Sequence, residues 1–209
     1  MPLPRPQPLS RTTSFQPKGR SLNKKQKKQV KRLVNNGREM KYFDGTVSGD
    51  VSNTAAAYDL TAIAQGDTAN SRDGNSVMLR RVAGRFNLTV SDATNVIRVI
   101  FLQWRTNSNI DSPDPGLILE DSSNVLSPLR KAGKYSYKII SDRTYALDTY
   151  NPIKQVRYDF KQAGNFAAKA YFTTLTAGDH KVYVMLLSDS TAVSHPQIEL
   201  YNRTTFTDS

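Results

Sequence analysis

The basic residues of the first forty or so positions are the strongest chemical signal in this sequence. Residues 1 to 41 hold twelve Lys and Arg against one acid, Glu39, a net charge of 12 − 1 = +11. The other residues hold 29 − 12 = 17 basic and 18 − 1 = 17 acidic side chains and are neutral. Because a block of like charge repels itself and binds polyanions by releasing their counterions, this segment predicts phosphate binding. Nucleic acid is the first candidate partner, and an anionic membrane surface is the second.

The cations of this segment are predicted to contact the phosphates of a nucleic acid. The predicted contacts are Arg5, Arg11, Lys18, Arg20, Lys24, Lys25, Lys27, Lys28, Lys31 and Arg32. The run KKQKKQVKR, Lys24 to Arg32, is also typical of a nuclear import signal, and both roles stay open. Its cations surround most of a helix, which favours contact with the phosphate backbone over the reading of bases.

The sequence predicts no enzyme. His180 and His195 are the only histidines, and neither lies beside a nucleophile motif, so we expect both to be ordinary loop or surface residues. A cluster of carboxylates in one long loop lacks the spacing of a calcium-binding loop. The favoured interpretation is a solvated acidic loop. That cluster comprises Asp111, Asp114, Glu120 and Asp121.

Residues 1–38 are predicted to form a disordered basic arm with one short helix near residues 24–34. Residues 1–20 mix five prolines with polar side chains and offer too little apolar surface to fold. Ser21 or Asn23 is a suitable N-cap for the helix, and Asn36-Gly37 a suitable stop.

An apolar stripe marks one side of this cationic helix, where Val30, Leu33 and Val34 follow helical spacing. The helix is about three turns long, and its lysines crowd the positive end of the helix dipole. We therefore expect it to be ordered only against phosphates or against neighbouring copies.

Residues 39–209 are predicted to form one all-β domain. Eight candidate strands lie near Met40 to Val47, Tyr58 to Ile63, Val77 to Val90, Val96 to Arg105, Tyr135 to Ser141, Val156 to Lys161, Val182 to Ser188 and Ile198 to Thr205. The apolar runs Val96 to Trp104 and Lys181 to Ser188 indicate central strands covered on both faces, and a neighbouring subunit is one possible source of cover. With no long amphipathic helix to pack on, the strands favour a single eight-stranded jelly roll of two four-stranded antiparallel sheets.

Composition excludes several other classes of protein. The chain has no cysteine, so disulfides and thiolate zinc sites are excluded. No apolar run approaches the length that spans a membrane, and the first residues lack the apolar segment of a signal peptide. The sequence therefore predicts a soluble intracellular chain with no membrane partner.

Four stretches together resemble a known family. They are KKQVKRLVNNGREMKYF (Lys27 to Phe43), IAQGDTANSRDGNSV (Ile63 to Val77), VIRVIFLQWRTNSN (Val96 to Asn109) and KIISDRTYAL (Lys138 to Leu147). In this order they resemble the coat proteins of the satellite tobacco necrosis virus family and the related capsid proteins of small circular single-stranded DNA viruses. The likeness weakens after residue 147, until TTFTDS (Thr204 to Ser209), and does not include the Pro-rich extension before Ser21.

The resemblance implies a jelly roll that assembles into the smallest icosahedral shell, T=1, of about sixty copies. It places the basic helix on the genome, with Lys28, Lys31 and Arg32 facing nucleic acid. It also implies that Val30, Leu33 and Val34 pack helices of three subunits together at a threefold axis.

The same resemblance implies a calcium site between subunits. Its ligands would be the carboxylates of Glu39 and Asp208, main-chain oxygens near Asp73 and Ser76, and Asp67 as a further ligand, all oxygen donors that suit a hard cation. The alternative, in which Glu39 pairs with Arg38 or Lys41, stays open.

The functional prediction is a viral capsid protein that packages single-stranded RNA or DNA through its arm. Such a protein would be found in the virion, and in the host cytoplasm or nucleus during assembly. The alternative is a cellular β-sandwich module that binds nucleic acid with a basic tail.

Overall fold

The structure is a computed structural model that describes residues 23–27, 29, 39–105, 112–167, 169–175, 178–191 and 194–208. It divides into two units, residues 1–38 and residues 39–209, and each is considered by itself. The disorder predicted for the arm falls outside the described residues. No helix among the described residues is long and apolar enough to cross a membrane.

Nine strands form the second unit within its described residues. They are β1 (Lys41–Asp50), β2 (Ala56–Asp59), β3 (Ser76–Thr89), β4 (Thr94–Trp104), β5 (Tyr137–Asp148), β6 (Ile153–Lys161), β7 (Lys169–Tyr171), β8 (Val182–Ser188) and β9 (Gln197–Asp208). Two four-residue helices, Pro115–Ile118 and Gln162–Asn165, lie between them.

The strands pair as a nested set, which is the topology of a jelly roll. β1 pairs with β9, β2 with β8, β3 with β6 and β4 with β5, all antiparallel. Pairing of β3 with β9 and of β4 with β8 completes two sheets, ordered β1-β9-β3-β6 and β2-β8-β4-β5. The jelly roll predicted from the sequence is therefore confirmed, with β7 as a short addition beside β3.

The main core lies between the two sheets and follows the alternation of their strands. In β3, Val82, Phe86 and Leu88 are buried while Arg81 and Arg85 are exposed. Phe101 of the opposite sheet stands 4.6 Å from the Tyr158 ring of β6, centroid to centroid. Aromatic and β-branched side chains of both sheets thus fill one common interior.

A second apolar cluster covers the outer face of the β2-β8-β4-β5 sheet. Leu102 and Trp104 of β4 and Met185 of β8 pack there with Ile118 and Leu119, which belong to the connection between β4 and β5. The prediction that β4 and β8 are covered on both faces is confirmed. The cover comes from this chain's own loop, so no neighbouring subunit is needed for it.

Several strand boundaries differ from the predicted ones, most of all those of β2 and β5, and one strand was not predicted. β2 ends at Asp59, because the Asp59 carboxylate accepts hydrogen bonds from Thr61 N (2.7 Å) and Thr61 Oγ1 (2.9 Å) and turns the chain. β5 begins at Tyr137 and continues to Asp148, well past Ser141. β7 has three residues and was not predicted.

Candidate nucleic-acid interface

The arm helix begins at Asn23, one of the two predicted caps. Asn23 Oδ1 accepts from Gln26 N at 2.8 Å, and Asn23 N donates to Gln26 Oε1 at 3.0 Å, a reciprocal capping box. Residues 24–27 and 29 are helical, and Lys27 N donates to Asn23 O at 2.9 Å. Ser21, the other candidate cap, lies outside the described residues.

Three of the predicted phosphate-binding cations lie on this helical segment. Lys24, Lys25 and Lys27 are all exposed, and successive positions on a helix are about 100° apart, so their side chains point in different directions. Cations spread in this way suit phosphate contact from several sides and do not present one base-reading surface. Arg5, Arg11, Lys18, Arg20, Lys28, Lys31 and Arg32 lie outside the described residues, as do Val30, Leu33 and Val34 of the predicted threefold contact.

The structure brings two of the predicted calcium ligands together around an ammonium group. The buried Nζ of Lys41, at the start of β1, is 2.6 Å from Asp73 Oδ1 and 2.9 Å from Asp208 Oδ2. Asp208 Oδ1 also accepts from Asp73 N at 3.2 Å. The first strand, the last strand and the loop before β3 are therefore fixed to one another by one cation.

This network shifts the ionisation of its members. Hydrogen bonds to Asp208 and then to Asp73 raise the pKa of Lys41, outweighing the effect of burial. The hydrogen bond from Lys41 lowers the pKa of Asp73. Both shifts stabilise the charged forms at neutral pH.

The residues as placed do not fit a calcium site within one subunit. The ammonium of Lys41 already pairs with both carboxylates, occupies the position between them and would repel a divalent cation. Glu39 and Asp67 are exposed, Ser76 begins β3 opposite Tyr171, and the described residues contain no group of three acidic or histidine side chains able to hold a metal. Calcium binding between subunits stays a prediction.

One face of the five-stranded sheet carries a charged surface that the sequence analysis did not select. We call it the open face. It consists of the exposed side chains of β1, β9, β3 and β6, among them Tyr42, Asp44, Thr46, Arg81, Arg85, Gln155, Arg157, Asp159, Lys161, Glu199, Tyr201 and Arg203. The polar half of the strand alternation is the sequence signal that could have indicated this surface.

Two arginines of the open face form bidentate ion pairs. Arg203 donates to both oxygens of Asp44 at 2.6 Å each, and its guanidinium stands 4.7 Å from the centroid of the Tyr42 ring. Arg81 donates to both oxygens of Asp159 at 2.7 and 2.8 Å. These hydrogen bonds lower the pKa of both carboxyl groups.

A shallow groove of about 540 Å³ lies over the centre of this sheet. Ala83, Gly84 and Thr46 are among its small lining residues, with the longer side chains of Arg85 and Tyr201 beside them. A groove flanked by arginine and tyrosine side chains can bind an anion and a planar ring side by side.

The predicted loop residues that the structure describes lie where the sequence indicated, and Asp111 lies outside the described residues. His180 is in the turn before β8, with Nδ1 2.8 Å from Asp179 Oδ2, and His195 precedes β9. In the acidic loop, Asp114 caps the short helix at Gly116 N (2.9 Å), and Asp121 accepts from Ser123 N (2.9 Å). These two carboxylates stabilise their own turns.

Comparisons with known proteins give distant structural likenesses. No family profile matches the chain, and no curated protein does. A structure of Desmodium yellow mottle tymovirus has a TM-score of 0.42 and 8% identity over 82% of this chain and 88% of that one. The top component of cowpea mosaic virus, naturally occurring empty particles, has a TM-score of 0.38 and 10% identity over 77% and 84%.

A structure of the empty head of turnip yellow mosaic virus has a TM-score of 0.38 and 10% identity over 82% of this chain and 83% of that one. Likenesses this distant carry no argument about function. The assignment of the jelly roll follows from the strand order of this chain.

Proposed function

We propose that this chain is the capsid subunit of a small non-enveloped virus, which forms a T=1 shell and packages single-stranded nucleic acid through its arm. The observation that supports this proposal is the combination of a neutral jelly-roll body with a strongly cationic segment in one chain. Although Lys41 belongs to β1, residues 1–38 alone hold eleven basic and no acidic residues, again +11. Residues 39–209 then hold 29 − 11 = 18 basic and 18 acidic side chains.

This separation of charge supports packaging over a catalytic role. Copies of a neutral body can associate without long-range electrostatic repulsion. The cationic arm can bind the phosphates of a nucleic acid. About sixty copies would carry on the order of 60 × 11 = 660 positive charges and neutralise a similar number of phosphates. Packaging should therefore weaken steeply as salt rises.

Within this proposal the arm residues have separate roles. Arg5, Arg11, Lys18, Arg20, Lys24, Lys25, Lys27, Lys28, Lys31 and Arg32 bind phosphates. Val30, Leu33 and Val34 pack three helices together at a threefold axis. The protein acts in the virion, and KKQKKQVKR serves nuclear import where assembly takes place in the nucleus.

The test is expression of the full chain, followed by negative-stain microscopy and the ratio of absorbance at 260 and 280 nm. We expect small icosahedral particles that contain nucleic acid. A variant in which glutamine replaces six arm cations should give particles with much less nucleic acid, or none. The six positions are Lys24, Lys25, Lys27, Lys28, Lys31 and Arg32. The control is Lys131→Gln/Lys134→Gln, which changes two exposed cations of the body and should leave the nucleic-acid content unchanged.

Two outcomes would contradict the proposal. Particles of the arm variant that are filled to the normal level would remove the arm's role. A monomer or dimer of the native chain at physiological salt, with nucleic acid present, would favour the cellular β-sandwich module.

A further inference from the structure

A row of four residues crosses the centre of the open face. Thr46 of β1 lies opposite Tyr201 of β9, Tyr201 lies opposite Arg85 of β3, and Arg85 lies opposite Arg157 of β6. With neighbouring strands about 4.8 Å apart, the row is about 14 Å long. Tyr201, Arg85 and Arg157 are all exposed.

Two like charges directly opposite each other destabilise a pair of strands. Arg81, which lies opposite Lys161, is offset by its ion pair with Asp159, but Arg85 and Arg157 form no ion pair with any described residue. Glu199, the nearest carboxylate along β9, lies opposite Asn87 and not opposite an arginine. The arginine pair is therefore arranged for an anion from outside the subunit.

The tyrosine beside this pair adds a second kind of contact. The Tyr201 side chain is 61% exposed although its strand is central in the sheet, and it lines the groove together with Arg85. An exposed aromatic ring next to cations is the combination that proteins use to bind single strands, with bases stacked on the ring and phosphates on the cations.

We propose that this row is a second binding surface for single-stranded nucleic acid, in which Arg85 and Arg157 contact phosphates and Tyr201 stacks on a base. The inference rests on the proposed packaging function and extends it from the arm to the body. Guanidinium groups bind phosphate oxygens in pairs, and stacking accepts any base, so the surface would bind without sequence preference.

Charge favours nucleic acid over a second copy of the chain as the occupant. A second open face would supply few anions for Arg85 and Arg157, because its Asp44 and Asp159 are already paired with Arg203 and Arg81. A phosphate chain instead offers a negative charge at each nucleotide. The loop between β4 and β5 covers the other sheet, so the open face is the sheet surface left for such a ligand among the described residues.

The experiment measures binding of the full chain to a fluorescein-labelled oligothymidylate by anisotropy at several salt concentrations. Arg85→Gln/Arg157→Gln should weaken binding about tenfold at low salt and reduce the slope of log K against log salt by about 1.4, since each single-strand phosphate contact contributes about 0.7. Tyr201→Ser should weaken binding at least about fivefold with little change in that slope.

Lys131→Gln/Lys134→Gln is the matched control, because it removes the same charge from exposed positions outside the open face. It should leave both affinity and slope close to the native values. Photo-crosslinking with an oligonucleotide that contains a halogenated pyrimidine should label Tyr201 in the native chain. Circular dichroism on each variant checks that the body is folded.

The outcomes separate this inference from the proposed function. If the arm variant loses binding while Arg85→Gln/Arg157→Gln behaves like the control, the open-face site is wrong and packaging by the arm stands. If only the open-face variants lose binding, the arm's role fails and this site stands. Open-face variants that bind normally but no longer assemble would identify a second copy as the occupant and overturn the inference.

Discussion

The ammonium of Lys181 lies against the carboxylate of Asp59 at the end of β2, and both side chains are almost completely removed from solvent. Lys181 Nζ also donates to Leu175 O at 2.7 Å and stands 4.9 Å from the centroid of the Phe172 ring. Burial raises the pKa of Asp59 and lowers the pKa of Lys181, and the attraction between the two opposes both shifts. Each buried charge therefore depends on the other, with further support from Thr61 for Asp59 and from Leu175 O for Lys181.

Removal of one partner of this pair should be costly. Lys181→Met leaves the Asp59 carboxylate buried without its cation and should lower the free energy of unfolding by about 3 kcal/mol. Asp59→Asn/Lys181→Met should recover at least half of that loss, since no buried charge is left. Urea titration of the native chain and the two variants measures the free energy of unfolding. A loss below about 1 kcal/mol for Lys181→Met would show that Asp59 does not depend on Lys181.

Gly84 is required by the close approach of β3 and β9. A Cβ at this position would contact the Tyr201 main-chain oxygen and lie 2.7 Å from Tyr158 Oη and 2.9 Å from Asn202 Cα. Gly84→Ala should therefore lower the free energy of unfolding by about 2 kcal/mol, because two of these atoms belong to the backbone and cannot move aside. Gly74→Ala is the control, since no atom lies within 4 Å of its Cβ position. Equal stability of the two variants would contradict the expected strain.

The cation between Asp73 and Asp208 should be the lysine and not a metal. Chelation with EDTA should leave the sedimentation of assembled particles unchanged, since the Lys41 ammonium already occupies the position between the two carboxylates. Lys41→Met should lower the melting temperature of the subunit. Without the ammonium between them, the carboxylates of Asp73 and Asp208 repel each other. Particles that swell in EDTA would establish the calcium site that the sequence resemblance predicts.

The same network should contribute to acid sensitivity. The pKa of Asp73 is lowered in the folded state, so its contribution to stability is present above its ordinary pKa of about 3.9 and is lost as pH falls through the lowered value. Asp73→Asn should therefore make the unfolding temperature less dependent on pH below about 4. Asp92→Asn in the exposed turn between β3 and β4 is the control and should keep the native dependence. Identical acid profiles for native chain and Asp73→Asn would disprove the contribution.

The sequence predicted most strands because their apolar alternation is long. It placed β8 at Val182–Ser188 without error, and the hydrophobic runs of β4 and β8 identified the central pair. The second half of β5 was missed because Asp142 and Arg143 look like a turn in sequence. In the structure, Asp142 accepts a bidentate ion pair from Arg98 of β4 at 2.9 and 2.6 Å, which only the neighbouring strand makes possible.

Site residues were predicted less completely than strands. The arm cations stand out by composition, and Asn23 was one of two candidate caps beside them, both of which are local signals. Lys41 was counted with the arm's charge, although the pairing of β9 with β1 brings Asp208 to it, and the pairing of β9 with β3 brings Asp73. Tyr201, Arg85 and Arg157 likewise lie on three strands that are far apart in sequence. Their alignment was not predicted because the pattern of a single strand does not show its register with its neighbours.

The nested pairing of the strands also has a consequence for biosynthesis. β1 and β2 find their partners in β9 and β8, so neither sheet is complete until residues 182–208 have been translated. Such distant pairing slows folding and leaves unfinished strand edges on a growing chain. On a nascent polypeptide the edges of β9 and β8 that pair with β1 and β2 are therefore missing until these last strands have emerged from the ribosome.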